Sequence, residues 1–327
     1  MPGEYAHRSV LVTGGCGFIG SHLVEALLAA GAHVRVLGRY SSSGTWGHLQ
    51  HLRHNGALDV RLGSITDHRF VDDCVRGVDG VFHLAALIGI PYSYVAPVHN
   101  IETNVIGTLN VLEAVRRHSP GRLVHTSTSE CFGSAQYVPM DEKHPIVAQS
   151  PYAASKAAAD QLVGSYVRSF GIPAVVVRPF NTFGPRQSLR AVIPTIISQA
   201  LVGDEVRLGS LEPIRDLNPV ANTVSGMMRA GAVDGVDGEL FVIGSGVGRT
   251  VGEVVESVGA ILGRELVTVV EESRVRPAAS EIDRLVCDNS LAEGRLGYRP
   301  AMTFDAGLRA TIDWMRQFGS RSAEFAI

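Results

Sequence analysis

From Val10 to about Arg178, short apolar runs rich in β-branched residues alternate with longer stretches whose apolar positions recur every three or four residues. SVLVT is followed by FIGSHLVEALLAAG and then AHVRVLG; further on come GVFHLAA, NVIGTLNVLEAVRR, RLVHTSTS, YAASKAAADQLVGSYVRSFG and PAVVVRPFN. Runs of the first kind fit strands covered on both faces, and the second kind fits amphipathic helices. Parallel neighbours need a crossover, and a helix between each pair of strands supplies it, so the alternation predicts an α/β fold with a doubly wound parallel sheet. After Pro179 the rhythm changes. Pro179, Pro185, Pro194, Pro213 and Pro219 interrupt the chain, and one more strand candidate, ELFVIGSG, follows. The expected division is a first domain over residues 1–180 and a smaller C-terminal lobe over 181–327, with some segments of the lobe returning to the first domain. Residues after about Gly319 are expected to fray.

The first strand runs directly into Gly14-Gly15-Cys16-Gly17-Phe18-Ile19-Gly20 and a helix. Glycines at 14, 17 and 20 suit a tight turn, a close backbone approach to a pyrophosphate and close helix–strand packing, in that order. The helix N-terminus then offers unpaired N–H groups to phosphate. A glycine-rich turn without a ligand has the same composition, but its place between the first strand and the first helix favours a dinucleotide. The second strand ends at Gly38, where an NAD site would offer an acid to the ribose, and Arg39 follows. Arg39 suits a 2′-phosphate, so the cofactor is NAD or NADP with a tilt to NADP; an ordinary surface arginine would look the same.

Composition narrows the class. The chain has 327 residues, 45% hydrophobic, with a formal net charge of -3, so it holds a sizeable core and has no basic field for nucleic acid. No apolar stretch reaches the roughly 18 residues of a membrane span, and no leader pattern precedes the first strand. Four cysteines (Cys16, Cys74, Cys131, Cys287) lack C-x-x-C spacing, which fits a reducing cytoplasm rather than a disulfide framework. His48, His51 and His54 recur every third residue without a carboxylate or cysteine partner, so no metal site is expected and a solvated face is.

Candidate chemistry lies at the end of the fourth strand pattern, RLVHTSTS, and the start of the next helix. Ser150-Pro151 suits a helix start, and Tyr152 and Lys156, four apart, project from one helical face. A phenol is a poor base at neutral pH, and a neighbouring ammonium favours the phenolate, so the pair suits deprotonation of an alcohol whose carbon loses hydride. A solvated helix surface carries such pairs by chance. Glu130 follows a hydroxyl run, Thr126-Ser127-Thr128-Ser129, and is either a cap for the next segment or a second base.

TGGCGFIGSHL, HLAA, NVIGTLNVLEA, STSE, YAASK and RPFNTFGPRQ, in this order over essentially the whole length, resemble the extended short-chain dehydrogenase/reductases acting on nucleotide sugars, which have a Rossmann fold. Thr128-Ser129-Glu130 is similar to the 4,6-dehydratases of that family, in particular the GDP-mannose type with Ser in place of Asp. RYSSSGTWGHL, LIGIPYSYVAP and RPFNTFGPRQSLRAVIPTI are most similar to a bacterial clade linked to legionaminic-acid-type sugar pathways. The resemblance implies that Tyr152 takes the proton of the sugar 4-hydroxyl, that Thr128 hydrogen-bonds the same oxygen, and that hydride leaves C4 for the nicotinamide. Glu130 would then remove the acidified C5 proton as the C6 hydroxyl departs, and hydride would return to C6. Ser129 stands where an aspartate would protonate the leaving hydroxyl. A 4-epimerase would use Tyr152 and Lys156 without Glu130; an NDP-uronate decarboxylase also carries Thr-Ser-Glu; a redox-sensing binding protein would need neither Tyr152 nor Lys156.

The same resemblance extends the cofactor site to Phe18, Ile19, Ser64, Ile65, Leu84, Ala85 and Ala86, and implies a homodimer. It assigns Arg186, Arg215 and Arg276 to the nucleotide diphosphate, with Asn181 and Glu281 nearby. Two departures stand out: RDLNPVANT places Pro219 and Asn222 where relatives carry an aromatic residue and an aspartate, and Ser64 replaces an acid at the adenine.

Overall fold

The structure, a computed structural model, describes residues 3–271 and 282–322. Its strands are Ser9–Thr13 (β1), His33–Arg39 (β2), Leu58–Gly63 (β3), Gly80–His83 (β4), Leu123–Thr126 (β5), Ala174–Pro179 (β6) and Asn181–Phe183 (β7). Glu205–Leu208 (β8), Ile214–Pro219 (β9), Leu240–Ile243 (β10), Gly248–Thr250 (β11), Val267–Val270 (β12) and Arg284–Leu285 (β13) follow. Seven of them form a parallel sheet in the order β10-β6-β5-β4-β1-β2-β3. In register, Val12 of β1 lies between Val36 of β2 and Phe82 of β4. Strand order therefore reverses between β1 and β4, and the crevice beyond their carboxyl ends is where such sheets bind ligands.

Both faces of the sheet are covered, which is why its central strands are apolar without alternation; every residue of β6 is buried. Helices Phe18–Ala29 and Val220–Ala232 pack on one face and bury Leu23, Leu27, Val224 and Met227. The other face carries His68–Val75, Gly107–His118 and Pro151–Phe170, with Val71, Val111, Val115 and Val163 inside. Ser150 caps the last of these by accepting the Ala153 N–H at 3.1 Å, Pro151 occupies its first turn, and Gly171 ends it with φ +66°. A third cluster around Ile196, Val206, Val258 and Leu308 forms the core of the second lobe, where β9 pairs with β7, β11 and β13 and where β8 pairs with β12.

Two features differ from the sequence reading. LDVRLG forms edge strand β3, whose period-two pattern of Leu58, Val60 and Leu62 went unused. The last helix, Phe304–Ser322, continues past Gly319. ELFVIGSG, the later strand candidate, is β10 and joins the central sheet beside β6. The departure at Asn222 is satisfied: its amide donates to Met302 O (2.9 Å) and accepts from Met302 N (2.9 Å), a two-way pairing that a carboxylate cannot make.

A buried ion pair lies inside the sheet–helix interface. Asp160 accepts from Arg178 Nη2 (2.7 Å) and from the Ser127 hydroxyl (2.5 Å), and His125 Nε2 lies 3.3 Å from its second oxygen. These partners outweigh desolvation and hold the Asp160 carboxyl at about 2, below its ordinary value. Removing one partner of such a pair costs about 3–5 kcal/mol because the other charge is left buried. Asp160→Asn should lower the unfolding free energy by about that amount at pH 7. A depressed folded-state pKa contributes stability that is present above the unfolded value and is lost as pH falls through the folded one. Chemical denaturation from pH 7 to pH 3 should therefore show the gap between wild type and variant narrowing below about pH 4.

Candidate active site

The glycine loop closes on backbone. Gly14 has φ +71°, and a Cβ there would lie 2.9 Å from the backbone of Ala85; a Cβ on Gly20 would lie 2.3 Å from Gly14 O. At Gly17 a Cβ would meet only Gly14 O, at 3.3 Å, and no side chain caps the first turn of helix Phe18–Ala29. Exposed glycine backbone and uncapped N–H groups at a helix N-terminus form a cradle that fits a dinucleotide pyrophosphate.

A histidine relay holds the opposite wall. Thr108 donates its hydroxyl to Asn104 O (2.6 Å), so at its 3.0 Å contact with His83 Nε2 it must accept. That fixes the Nε2–H tautomer and leaves Nδ1 to accept from the Thr13 hydroxyl at 2.7 Å. Thr13 Oγ1 in turn accepts the N–H groups of Leu84 (3.2 Å) and Ala85 (3.1 Å). Burial drives the His83 pKa well below its ordinary value, consistent with the neutral ring this chain requires. Beyond it, Asn104, in a π-helical turn Glu102–Ile106, pairs both ways with the Leu87 peptide (2.7 and 2.9 Å) and donates to Ser155 on the Tyr152 helix (2.9 Å). Leu84 and Ala85 are thereby tied to the end of β1, and Leu87, with Ala86 between, to the Tyr152–Lys156 helix. Ser64 and Ile65 follow β3: Ser64 shares a 2.7 Å hydroxyl contact with Thr66, and Ile65 is buried.

Thr128, Glu130 and Tyr152 meet at the end of β5. Thr128 begins the 3₁₀ turn Ser129–Phe132, its hydroxyl accepting the Glu130 N–H at 3.3 Å and hydrogen-bonding the Tyr152 phenol. Glu130 faces a narrow cleft with Ile90, Gln149, Ser150, Ala153 and Ile282. Burial, with a smaller contribution from the Glu130 charge, raises the Tyr152 pKa, and the Thr128 bond opposes it. Lys156, one turn behind and only 4% exposed, has its pKa lowered by burial while Asp160 acts against the shift. Ser129 is buried in the same turn.

The substrate candidates are placed less uniformly. Asn181 on β7 has a buried side-chain oxygen without a partner among the described residues, and Arg215 on β9 donates to Ile214 O at 3.1 Å. Arg276 and Glu281 lie outside the described residues. Arg186 is engaged with the first domain: its guanidinium donates to Glu25 (2.7 Å) and Ser21 (3.1 Å) on the helix after the glycine loop, and its φ is +72°. His22, kept neutral by burial, donates from Nε2 to Pro185 O (3.0 Å) beside it. His48, expected on a solvated face, packs edge-on against Trp314 and bonds the Arg186 backbone, while His51 meets Glu25 at 2.9 Å.

Sequence reasoning missed Asp160, Arg178, His83 and Asn104. Asp160 continues the four-residue spacing of Tyr152 and Lys156, and Arg178 is a lone charge in an apolar strand, so both carried a readable signal. Asp216 was missed as well; buried, it accepts from Ser245 N (2.7 Å), Gly246 N (2.8 Å) and Cys287 N (3.2 Å) and fixes the turn after β10. Since Arg186 already holds Glu25, Arg186→Ala should lower Tm by about 2–4 °C while changing the Kd for a nucleotide sugar less than about threefold. Differential scanning calorimetry and titration calorimetry measure the two effects.

Comparison with known proteins agrees with this geometry. The family described as GDP-mannose 4,6 dehydratase matches residues 11–311. A dTDP-glucose 4,6-dehydratase of Actinoplanes sp. is 34% identical over 316 residues, covering 94% of this chain and 97% of that protein. The solved dTDP-glucose 4,6-dehydratase DesIV of Streptomyces venezuelae, with NAD bound, superposes with a TM-score of 0.85 at 32% identity over 95% of this chain and 98% of its own. A UDP-N-acetylglucosamine 4-epimerase from Methanobrevibacter ruminantium gives 0.86 at 28% identity over 95% and 99%. By this match over residues 11–311 and these relatives, the chain belongs to the GDP-mannose 4,6-dehydratase family of nucleotide-sugar lyases.

Proposed function

We propose that this chain converts an NDP-hexose to its 4-keto-6-deoxy derivative, with Tyr152, Lys156, Thr128, Ser129 and Glu130 as its reacting group. One observation supports the reading: the Thr128 hydroxyl contacts both the Glu130 peptide and the Tyr152 phenol, so two groups that can act as bases flank one threonine. A 4-epimerase needs only one such base. When bound, the dinucleotide supplies hydride transfer, from C4 of the sugar and back to C6. Tyr152 accepts the 4-hydroxyl proton and Thr128 holds that oxygen. Burial raises the Tyr152 pKa in the protein alone, and a positive charge on Lys156, one turn away, favours the phenolate. Glu130 removes the C5 proton, made acidic by the 4-ketone, as the C6 hydroxyl leaves as water. Ser129 is a poor acid, so the leaving oxygen takes its proton from Glu130 or from water.

The cofactor is NAD or NADP, and the end of β2 tilts the reading to NADP. Gly38 offers no carboxylate to the ribose, and the Arg39 guanidinium is exposed without a partner among the described residues. The substrate diphosphate is assigned to Arg215 and Arg276, with Asn181 and Glu281 beside it. The protein is proposed to be a homodimer, on the support of an exposed apolar strip: Val95 (83%), Val98 (68%), Ile101 (42%) and Ile106 (44%) along the helices before Gly107. A cytoplasmic setting is proposed from four unpaired thiols, three of them buried. No helix among the described residues is long and apolar enough to cross a membrane.

Incubation with UDP-, GDP-, CDP- and dTDP-hexoses in deuterated water, read by mass spectrometry, should show loss of water with one deuterium at C5 for one nucleotide. An isomer of unchanged mass without solvent label would instead identify the epimerase, and release of CO2 the decarboxylase. Glu130→Gln should retain C4 oxidation, seen as reduced-nicotinamide absorbance, and lose dehydration by about 10²–10⁴-fold, whereas Tyr152→Phe should lose both. Val98→Asp with Ile101→Asp should shift light-scattering mass from dimer to monomer.

A further inference from the structure

The glycine loop and the end of β2 are fitted to one another by opposite choices of size. Where the loop is small, at Gly15, the strand is large: a Cβ on Gly15 would lie 2.8 Å from Val36 Cγ1. Two residues along the same strand face the choice is inverted. Gly38 supplies the space and Cys16 fills it, so a Cβ on Gly38 would sit 2.6 Å from Cys16 Sγ and 3.0 Å from Leu62 Cδ2. Cys16 is not free to retreat. Its carbonyl accepts the His48 N–H at 3.2 Å, and a Cβ on Gly47 would lie 2.7 Å from that oxygen, so the turn Gly47–Leu52 is seated on the Cys16 peptide. Burial holds the thiol neutral, its pKa pushed up to about 11, and it packs as a small apolar filler.

Beyond Gly38 the chain changes character. Arg39 is exposed at the strand end, and Ser41 and Ser43 share a 3.0 Å hydroxyl contact in the loop that follows. Arg53 lies 5.4 Å over the Trp46 ring and donates to Gly44 O at 3.0 Å, which holds that loop in place. A guanidinium at the strand end suits a phosphate dianion, and hydroxyls in the loop that follows can add hydrogen bonds to it.

We propose that Cys16 and Gly38 are a coupled specificity element: the thiol occupies the space through which a carboxylate at position 38 would reach an unmodified ribose, which leaves Arg39, Ser41 and Ser43 to bind a 2′-phosphorylated dinucleotide. The proposal rests on the NADP reading above and adds the reason an acid at position 38 alone would not reverse it.

Cofactor-stripped full-length protein is titrated calorimetrically with NADP⁺ and NAD⁺ for wild type, Cys16→Ala, Gly38→Asp and the double variant. Wild type should bind NADP⁺ at least about tenfold more tightly than NAD⁺. Gly38→Asp should weaken NADP⁺ without tightening NAD⁺, and Cys16→Ala in its background should tighten NAD⁺ at least about tenfold. If Gly38→Asp alone gains NAD⁺ as strongly as the double variant, the coupling is overturned. A wild-type preference for NAD⁺ would overturn the NADP reading, while the non-additivity of positions 16 and 38 would still decide the coupling. Should Gly38→Asp fold poorly, Gly38→Ala adds only the Cβ: its Tm should fall and recover when Cys16→Gly is combined with it, and an unchanged Tm in Gly38→Ala would count against the proposal.

Discussion

The crevice depends on a close approach between two turns, the one after β1 and the one after β4. Gly14 and Ala85 come together so tightly that a Cβ on the glycine would fall within 3 Å of the Ala85 backbone. The gap at the reversal of strand order is thus closed by main chain, and the ring of His83 keeps it closed by joining Thr13 to Thr108 while Thr13 collects the Leu84 and Ala85 amides. A wall of this kind presents peptide groups of fixed direction, which is what binding a pyrophosphate requires. Asn104 carries the same rigidity sideways to the helix of Tyr152 and Lys156 through Ser155.

Beneath the reacting residues the protein keeps charge where apolar packing would be simpler. Lys156, Asp160, Arg178 and His125 are all buried within one sheet–helix interface. Two cations share one carboxylate there, and His125, its pKa lowered to about 4 by burial and by Lys156, adds no third positive charge at neutral pH. Ser127, which donates to Asp160, immediately precedes Thr128, so the ion pair also fixes the start of the turn that carries Glu130. Arg178 lies 4.5 Å over the Phe132 ring at the end of that turn, which gives the guanidinium a second, apolar seat.

The alternating pattern made the sheet and its helices legible because central parallel strands, covered on both sides, leave continuous apolar runs. β3 escaped notice as a short edge strand, only partly covered, and β10 was read as a strand without a named neighbour because local pattern carries no information on which strand a segment will join. At the site, Tyr152, Lys156 and the glycine loop were readable from spacing, which one helix or one turn converts directly into geometry. Arg186 was harder: its engagement with Glu25 depends on how the second lobe folds back on the first, across more than 160 residues of chain. His83 and Asn104 do their work through hydrogen bonds whose partners come from three different elements, and no linear spacing reveals those. Cys16 and Gly38 each looked unremarkable in sequence, and their fit appears only when β1 and β2 are laid side by side.

The return of the chain to pair β10 with β6 bears on how the protein is assembled. On its outer edge β6 pairs with β10, the Val176 N–H donating to Glu239 O at 3.0 Å, and β10 is synthesised about sixty residues later. A nascent chain ending near residue 180 therefore presents β6 as a bare rim, apolar but for Arg178, with open peptide groups, the kind of margin that recruits other strands. A cut between β6 and β10 would thus separate two neighbouring strands of one sheet.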